Sequence, residues 1–156
     1  PFARLRCYMT DPLDTGYTVQ SDMLGESKKK RFIPDMGLLN SRYKLILLGS
    51  SEMSRKLRIF TRDPMPRLQK DIDFDWKPDT WDTVKITVDV SDGKGFIKGK
   101  VWERGTEEPK KWTIQAEDPY PNMMGSPGLY AYSVNITSKS PGTPVYFDNV
   151  VITRNK

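Results

Sequence analysis

Between Trp81 and Trp112 apolar and polar positions alternate so regularly that three consecutive antiparallel strands, and both turns joining them, can be read from the pattern. Val84, Ile86, Val88 and Val90 fall on one side, and Thr83, Lys85, Thr87 and Asp89 on the other. This is the period of two expected of a strand that buries one face. Asp92-Gly93, with Gly95 close behind, supplies residues that tolerate positive φ, so the chain is expected to reverse there into Phe96 to Trp102. A second reversal is expected at Arg104-Gly105-Thr106 and Pro109, leading into a strand over Trp112 to Ala116.

The flanking chain carries the same signature in shorter pieces. In Phe2 to Met9, the set Ala3, Leu5, Cys7 and Met9 reads as core, with Cys7 buried in it, and the set Phe2, Arg4, Arg6 and Tyr8 reads as the opposite face. Tyr17, Val19 and Met23 share a face of a strand over Tyr17 to Leu24. Tyr43 to Leu48 is an apolar run of strand length that both faces can bury, its helical alternative weakened by Gly37 and Gly49. In Leu57 to Thr61, Leu57 and Ile59 oppose Arg58 and Phe60; Asp71, Asp73 and Asp75 alternate with Ile72 and Phe74. Gly128 to Val134 and Val145 to Thr153 are the last strands. About eleven strand candidates at roughly ten-residue spacing, with no amphipathic helix among them, argue for an all-β fold, a two-sheet antiparallel β-sandwich of jelly-roll type.

Composition narrows the chemistry. The 156 residues are about one domain's worth, and no apolar run approaches the roughly 20 residues that span a bilayer, so membrane insertion is not expected. Cys7 is the one cysteine and histidine is absent, which excludes an internal disulfide, the Cys/His zinc spacings and any Ser-His or Cys-His hydrolase. The net charge of +5 favours anionic partners without singling out nucleic acid. The basic run Lys28-Lys29-Lys30-Arg31 has no interleaved aromatic and reads as a solvated loop, so no nucleic-acid partner is expected. The opening PFARLRCYM already reads as strand, and residues 1–156 are expected to be a single sandwich domain cut from a longer chain.

Three segments then carry a resemblance. The hairpin Val101-Trp102-Glu103-Arg104-Gly105-Thr106-Glu107-Glu108-Pro109-Lys110-Lys111-Trp112, the Gly-rich strand from Gly125 to Tyr130 and the closing strand from Val145 to Val151 occur here in order. Together they resemble the laminin-G-like, concanavalin-A-like jelly rolls of secreted bacterial proteins. More narrowly, the chain is similar to modules attached to β-propellers with pyrroloquinoline-quinone-type repeats and to the 3-keto-disaccharide hydrolase-like domains. The resemblance implies a carbohydrate-facing role in an extracytoplasmic bacterial protein. It also implies a first strand upstream of Pro1, or one supplied by a neighbouring domain, to pair with the last strand.

Such sandwiches bind glycans on one sheet face, where aromatic rings stack on sugars and planar donors bond their hydroxyls. The candidates are Arg4, Arg6 and Tyr8 on one strand face, Arg42 and Tyr43 at the head of a strand, Arg58, and Trp76, taken as the most exposed of the four tryptophans. The bland alternative is a solvated face whose aliphatic stems cover apolar surface. Trp102 and Trp112 read as cross-strand packing partners. Asp71, Asp73 and Asp75 read as a polar outer face rather than a catalytic carboxylate pair. Asp148 shares parity with Tyr146, Val150 and Ile152, which places a carboxylate among apolar groups and calls for a donor or a cation. The resemblance implies calcium as that cation, making Asp148 the metal candidate.

The reading is a non-catalytic carbohydrate-binding module, with no catalytic residues assigned and a polysaccharide, acidic by charge balance, as partner. The alternatives are a sugar-active enzyme, for which a carboxylate such as Asp35 must converge with an arginine, and a structural docking domain that accepts a strand from its neighbour.

Overall fold

The computed structural model describes residues 1–49, 54–62 and 64–156, and it contains no helix among them. Its strands are β1 (Ala3–Tyr8), β2 (Leu13–Asp14), β3 (Tyr17–Gly25), β4 (Asp35–Asn40), β5 (Tyr43–Leu48), β6 (Lys56–Phe60), β7 (Gln69–Asp73), β8 (Asp82–Ser91), β9 (Lys94–Glu103), β10 (Ile114–Asp118), β11 (Met124–Gly125), β12 (Gly128–Ser133), β13 (Ile136–Thr137), β14 (Ser140–Pro141) and β15 (Val145–Arg154). A six-stranded sheet runs β1-β12-β4-β5-β6-β7, and a five-stranded sheet runs β10-β9-β8-β3-β15. All pairings in both are antiparallel.

The alternation described above decides which side chains meet between the sheets. Val84, Ile86 and Val88 of β8 and Tyr17, Val19 and Met23 of β3 are buried against Met36, Leu38, Tyr43, Leu45, Leu47, Leu57 and Ile59 of the facing sheet. Removing this surface from water is the main stabilising contribution, about 25 cal/mol per Å² of apolar area. The turn between β8 and β9 forms at Asp92 and Gly93, with φ of 50° and 73°, the double left-handed geometry that matches strand twist. Tyr43 to Leu48 is buried at every position, as its run of apolar residues anticipates.

Three expectations are corrected. β1 lies at the edge of its sheet, and its inward face has little opposite it: Leu5 and Met9 are 59% and 43% exposed, and Cys7 is exposed rather than buried in the core. The strand expected over Trp112 to Ala116 begins at Ile114, two residues after Trp112, so Trp112 sits in the loop ahead of the ladder. The register of β15 against β3 shifts between Asp148 and Val151. This bulge breaks the parity from which a buried Asp148 was read, and the residue is exposed opposite Asp22.

Candidate functional site

The outer face of the six-stranded sheet collects most of the expected residues. Register places Arg4 beside Tyr132, Arg6 beside Tyr130 and Tyr8 beside Gly128. Across β12 and β4 the same face continues to Leu39, then to Lys44 of β5 and Phe60 of β6. Gly128 lets β1 approach closely here: a Cβ on it would lie 2.5 Å from the Cys7 carbonyl oxygen. A second apolar cluster, Leu39, Ile46, Leu48, Phe60 and Tyr130, underlies the face.

Lys44 is the centre of this surface. It is buried, and its Nζ lies 4.5 Å from the centroid of the Phe60 ring and 5.9 Å from that of Tyr130. Such contacts hold an ammonium with about 0.5–2 kcal/mol apiece. Arg4 packs in the same manner on Tyr132, at 5.5 Å, and Phe2 stacks on the same ring with centroids 5.1 Å apart.

Beside Lys44 opens a groove of about 330 Å³ lined by Arg6, Tyr8, Leu39, Arg42, Lys44, Thr61, Arg62 and Ser126. Four cations line it, and no carboxylate does among the described residues. Arg42 is delivered by the tight β4–β5 hairpin, where Ser41 and Arg42 both take positive φ, 50° and 63°. The turn is fixed from below, because the Tyr17 hydroxyl accepts a bond from the Ser41 N–H at 2.9 Å and donates to the Gly125 carbonyl at 2.7 Å. That support offsets the cost of holding two non-glycine residues in the left-handed region.

Other candidates lie elsewhere. Arg58 is on the same face but is bound bidentately by Asp71, at 2.7 Å through both Nε and NH2. Hydrogen bonding to that guanidinium holds the Asp71 carboxyl below the ordinary aspartate range. Tyr43 does not reach the surface: it is wholly buried, its hydroxyl donates to Asp118 at 2.7 Å and accepts from the Asn122 N–H at 3.0 Å. Burial pushes its pKa up to about 12. Trp76 is likewise buried, at 3% exposure, with its indole N–H donating to the Leu48 carbonyl at 2.9 Å. A tryptophan flanking a turn is as able to plug the end of a sandwich as to face solvent, and here it plugs.

Asp35, the example carboxylate of the enzymatic alternative, is buried and accepts from the Gly49 N–H at 2.7 Å. Asp71 and Asp73 do share the outer face with Arg58, whereas Asp75 follows the strand and pairs with Arg55. Asp148 and Asp22 are bridged by the Arg104 guanidinium at 3.6 Å from each. No group of three metal-ligating side chains occurs among the described residues. Trp102 and Trp112 each carry lysine ammonium groups over their rings, Lys85 on the first and Lys98 and Lys100 on the second.

Lys44, Thr61, Arg62, Tyr130 and Tyr132 were missed as site residues. Lys44 had a signal, a cation interrupting an apolar strand at the parity that the register shares with Arg58 and Phe60. Arg62 had none.

No protein-family model matches the chain, and neither does any curated protein. Solved structures do match its fold. The carbohydrate binding module CBM66 from Bacillus subtilis superposes with a TM-score of 0.58 at 12% identity, over 96% of this chain and 81% of its own. A glycoside hydrolase family protein from Mycobacterium thermorestibile gives 0.54 at 13% identity, over 91% of this chain and 65% of its own. Sheep galectin-11, in complex with glycerol, gives 0.50 at 8% identity, over 97% of this chain and 96% of its own. At these identities the likeness is one of fold, an all-β sandwich.

Proposed function

We propose that the protein is a non-catalytic carbohydrate-binding module and that its ligand, an acidic polysaccharide, lies on the outer face of the six-stranded sheet. The observation that carries this reading is the groove of four cations with no carboxylate lining it among the described residues, beside a face of aromatic rings. Arginine forks bind carboxylate or sulfate bidentately, and the exposed Tyr8 ring offers a stacking surface at the groove. The fold shared with a carbohydrate-binding module and a galectin supports the same reading. Two of the carboxylates weighed for glycoside hydrolysis are engaged, Asp71 by Arg58 and Asp35 by a backbone amide. An extracytoplasmic location and kinship with laminin-G-like bacterial modules belong to this proposal and rest on the three sequence motifs.

Affinity electrophoresis through gels containing neutral or acidic polysaccharides tests it. Retardation by an acidic polymer, reduced at least tenfold in affinity by Arg62→Ala or Arg6→Ala, is the expected result. Migration unchanged in every gel would sink the reading. The docking alternative has one observation in its favour, the uncovered apolar face of β1 with Leu5 and Met9. A neighbouring domain that adds a strand beside β15 would cover it, and would raise the unfolding midpoint when fused to this chain.

A further inference from the structure

The opposite face of the sandwich carries a second charged groove. It has a volume of about 590 Å³, is floored by β3, β8 and β9, and is bounded by Trp112 and the end of β15. Five cationic side chains line it against two acidic ones, Asp89 and Glu108. Asp89 is engaged by Asn155, whose Nδ2 donates to it at 2.7 Å.

Glu108 occupies the centre of the positive field. Lys85 Nζ donates to both of its carboxylate oxygens, at 2.8 and 2.7 Å, and Lys100 Nζ donates to Oε1 at 2.9 Å. Lys100 is buried at 8% exposure and also lies 4.6 Å from the centroid of the Trp112 ring; Lys98 lies 5.9 Å from the same ring. Burial pushes the Glu108 carboxyl up, and the two lysine hydrogen bonds outweigh it, so the group is held below the ordinary glutamate range.

Glu108 belongs to the loop between β9 and β10. Among the described residues the backbone bonds of that loop lie at its ends, from Arg104 N to Trp81 O, Thr106 N to Glu103 O and Thr113 N to Gly99 O. The Glu108 side chain remains 38% exposed, whereas the lysines that hold it are 20% and 11% exposed. The ammonium groups are therefore fixed by the sheet, and the carboxylate reaches them from outside. Two fixed lysines that share one carboxylate, beside an indole face, form a carboxylate-binding site with an internal occupant.

We propose that this groove is a second glycan site, specific for the carboxylate of a uronic-acid residue, and that Glu108 is a built-in competitor that the ligand must displace. The proposal rests on the carbohydrate reading for its ligand class and not for its location. The uronate carboxylate takes the place of the Glu108 carboxylate between Lys85 and Lys100. Its ring stacks on Trp112, and neighbouring hydroxyls face the polar floor of Thr18, Gln20 and Thr87.

The experiment titrates oligogalacturonide into the full chain carrying Arg6→Ala and Arg62→Ala, which silence the first groove, and follows the Trp112 indole resonance and calorimetric heat. Adding Glu108→Gln is expected to raise affinity at least tenfold and to move the Trp112 signal. Adding Lys100→Met to that background is expected to remove both effects, with the unfolding midpoint recorded to show that the variant folds. Neutral oligosaccharide should produce neither effect, and galacturonate monomer should bind the Glu108→Gln protein more weakly than the oligomer. No gain on Glu108→Gln, or a Trp112 resonance that stays still, overturns the proposal. Loss of binding through Arg62→Ala alone, with Glu108→Gln silent, leaves the first groove standing and removes the second.

Discussion

Asp82 opens β8 on the core-facing parity of Val84, Ile86 and Val88, and it pairs with Glu103 at the end of β9. It is 9% exposed, and burial followed by the charge of Glu103 pushes its pKa up to about 6 from the ordinary 3.8. Folding therefore raises this proton's affinity. Between these two values the folded chain holds a proton that the unfolded chain has released, so stability is complete below 3.8 and falls as pH rises through 6. A separation of roughly two pH units at about 1.36 kcal/mol each gives a loss of about 3 kcal/mol at neutral pH. Asp82→Asn removes the charge and keeps the shape. Urea unfolding at a series of pH values from 4 to 8 is the assay. With an m-value of about 2 kcal/mol/M, the variant's midpoint should exceed the wild type's by about 1.5 M at pH 8 and converge with it at pH 4. Asp71, Asp118 and Glu108 have lowered pKa values and destabilise in the opposite direction, as pH falls through those values, but they are common to both proteins and cancel in the difference. Parallel midpoints across the pH range would refute the argument that the fold strains this carboxylate.

Tyr43→Phe deprives Asp118 of a donor and the Asn122 N–H of its acceptor in a buried network, which should cost about 2 kcal/mol and lower the calorimetric midpoint by about 4–8 °C. Arg104→Ala removes the cation between Asp22 and Asp148; calcium should raise the midpoint of this variant more than that of the wild type, and chelator should abolish the difference. Cys7 should react with one equivalent of a thiol reagent without denaturant, a result that a buried Cys7 would not give.

Alternation along the strands made the sandwich legible, because two residues apart means the same face whatever lies beyond it. Alternation does not report whether a second sheet lies opposite. Ala3, Leu5 and Cys7 read as core by the same rule as Val84 and Ile86, yet β1 reaches the edge where no inner face meets it. Parity also fails across a bulge, which is how Asp148 was read as buried. For the site, Arg4, Arg6 and Tyr8 were found because they alternate, whereas Arg62 was not, since it belongs to no strand and reaches the groove only through the three-dimensional path of the chain. Tyr43 and Trp76 were misplaced for a different reason. An aromatic ring with one polar atom serves equally at a surface or in a core that offers that atom a partner, and Asp118 and the Leu48 carbonyl are distant in sequence.

The openness of β1 also separates two properties that most strands bind together. From Arg4 onwards every residue of the strand is exposed, so Arg6 and Tyr8 line the groove, and Arg4 packs on Tyr132, without closing the core. Surface substitutions of this kind usually change stability by about 0.5 kcal/mol or less. A lineage, or an engineer, can therefore rewrite the chemistry that the face presents by exchanging alternate residues of one strand, and the fold exacts almost no penalty on the search.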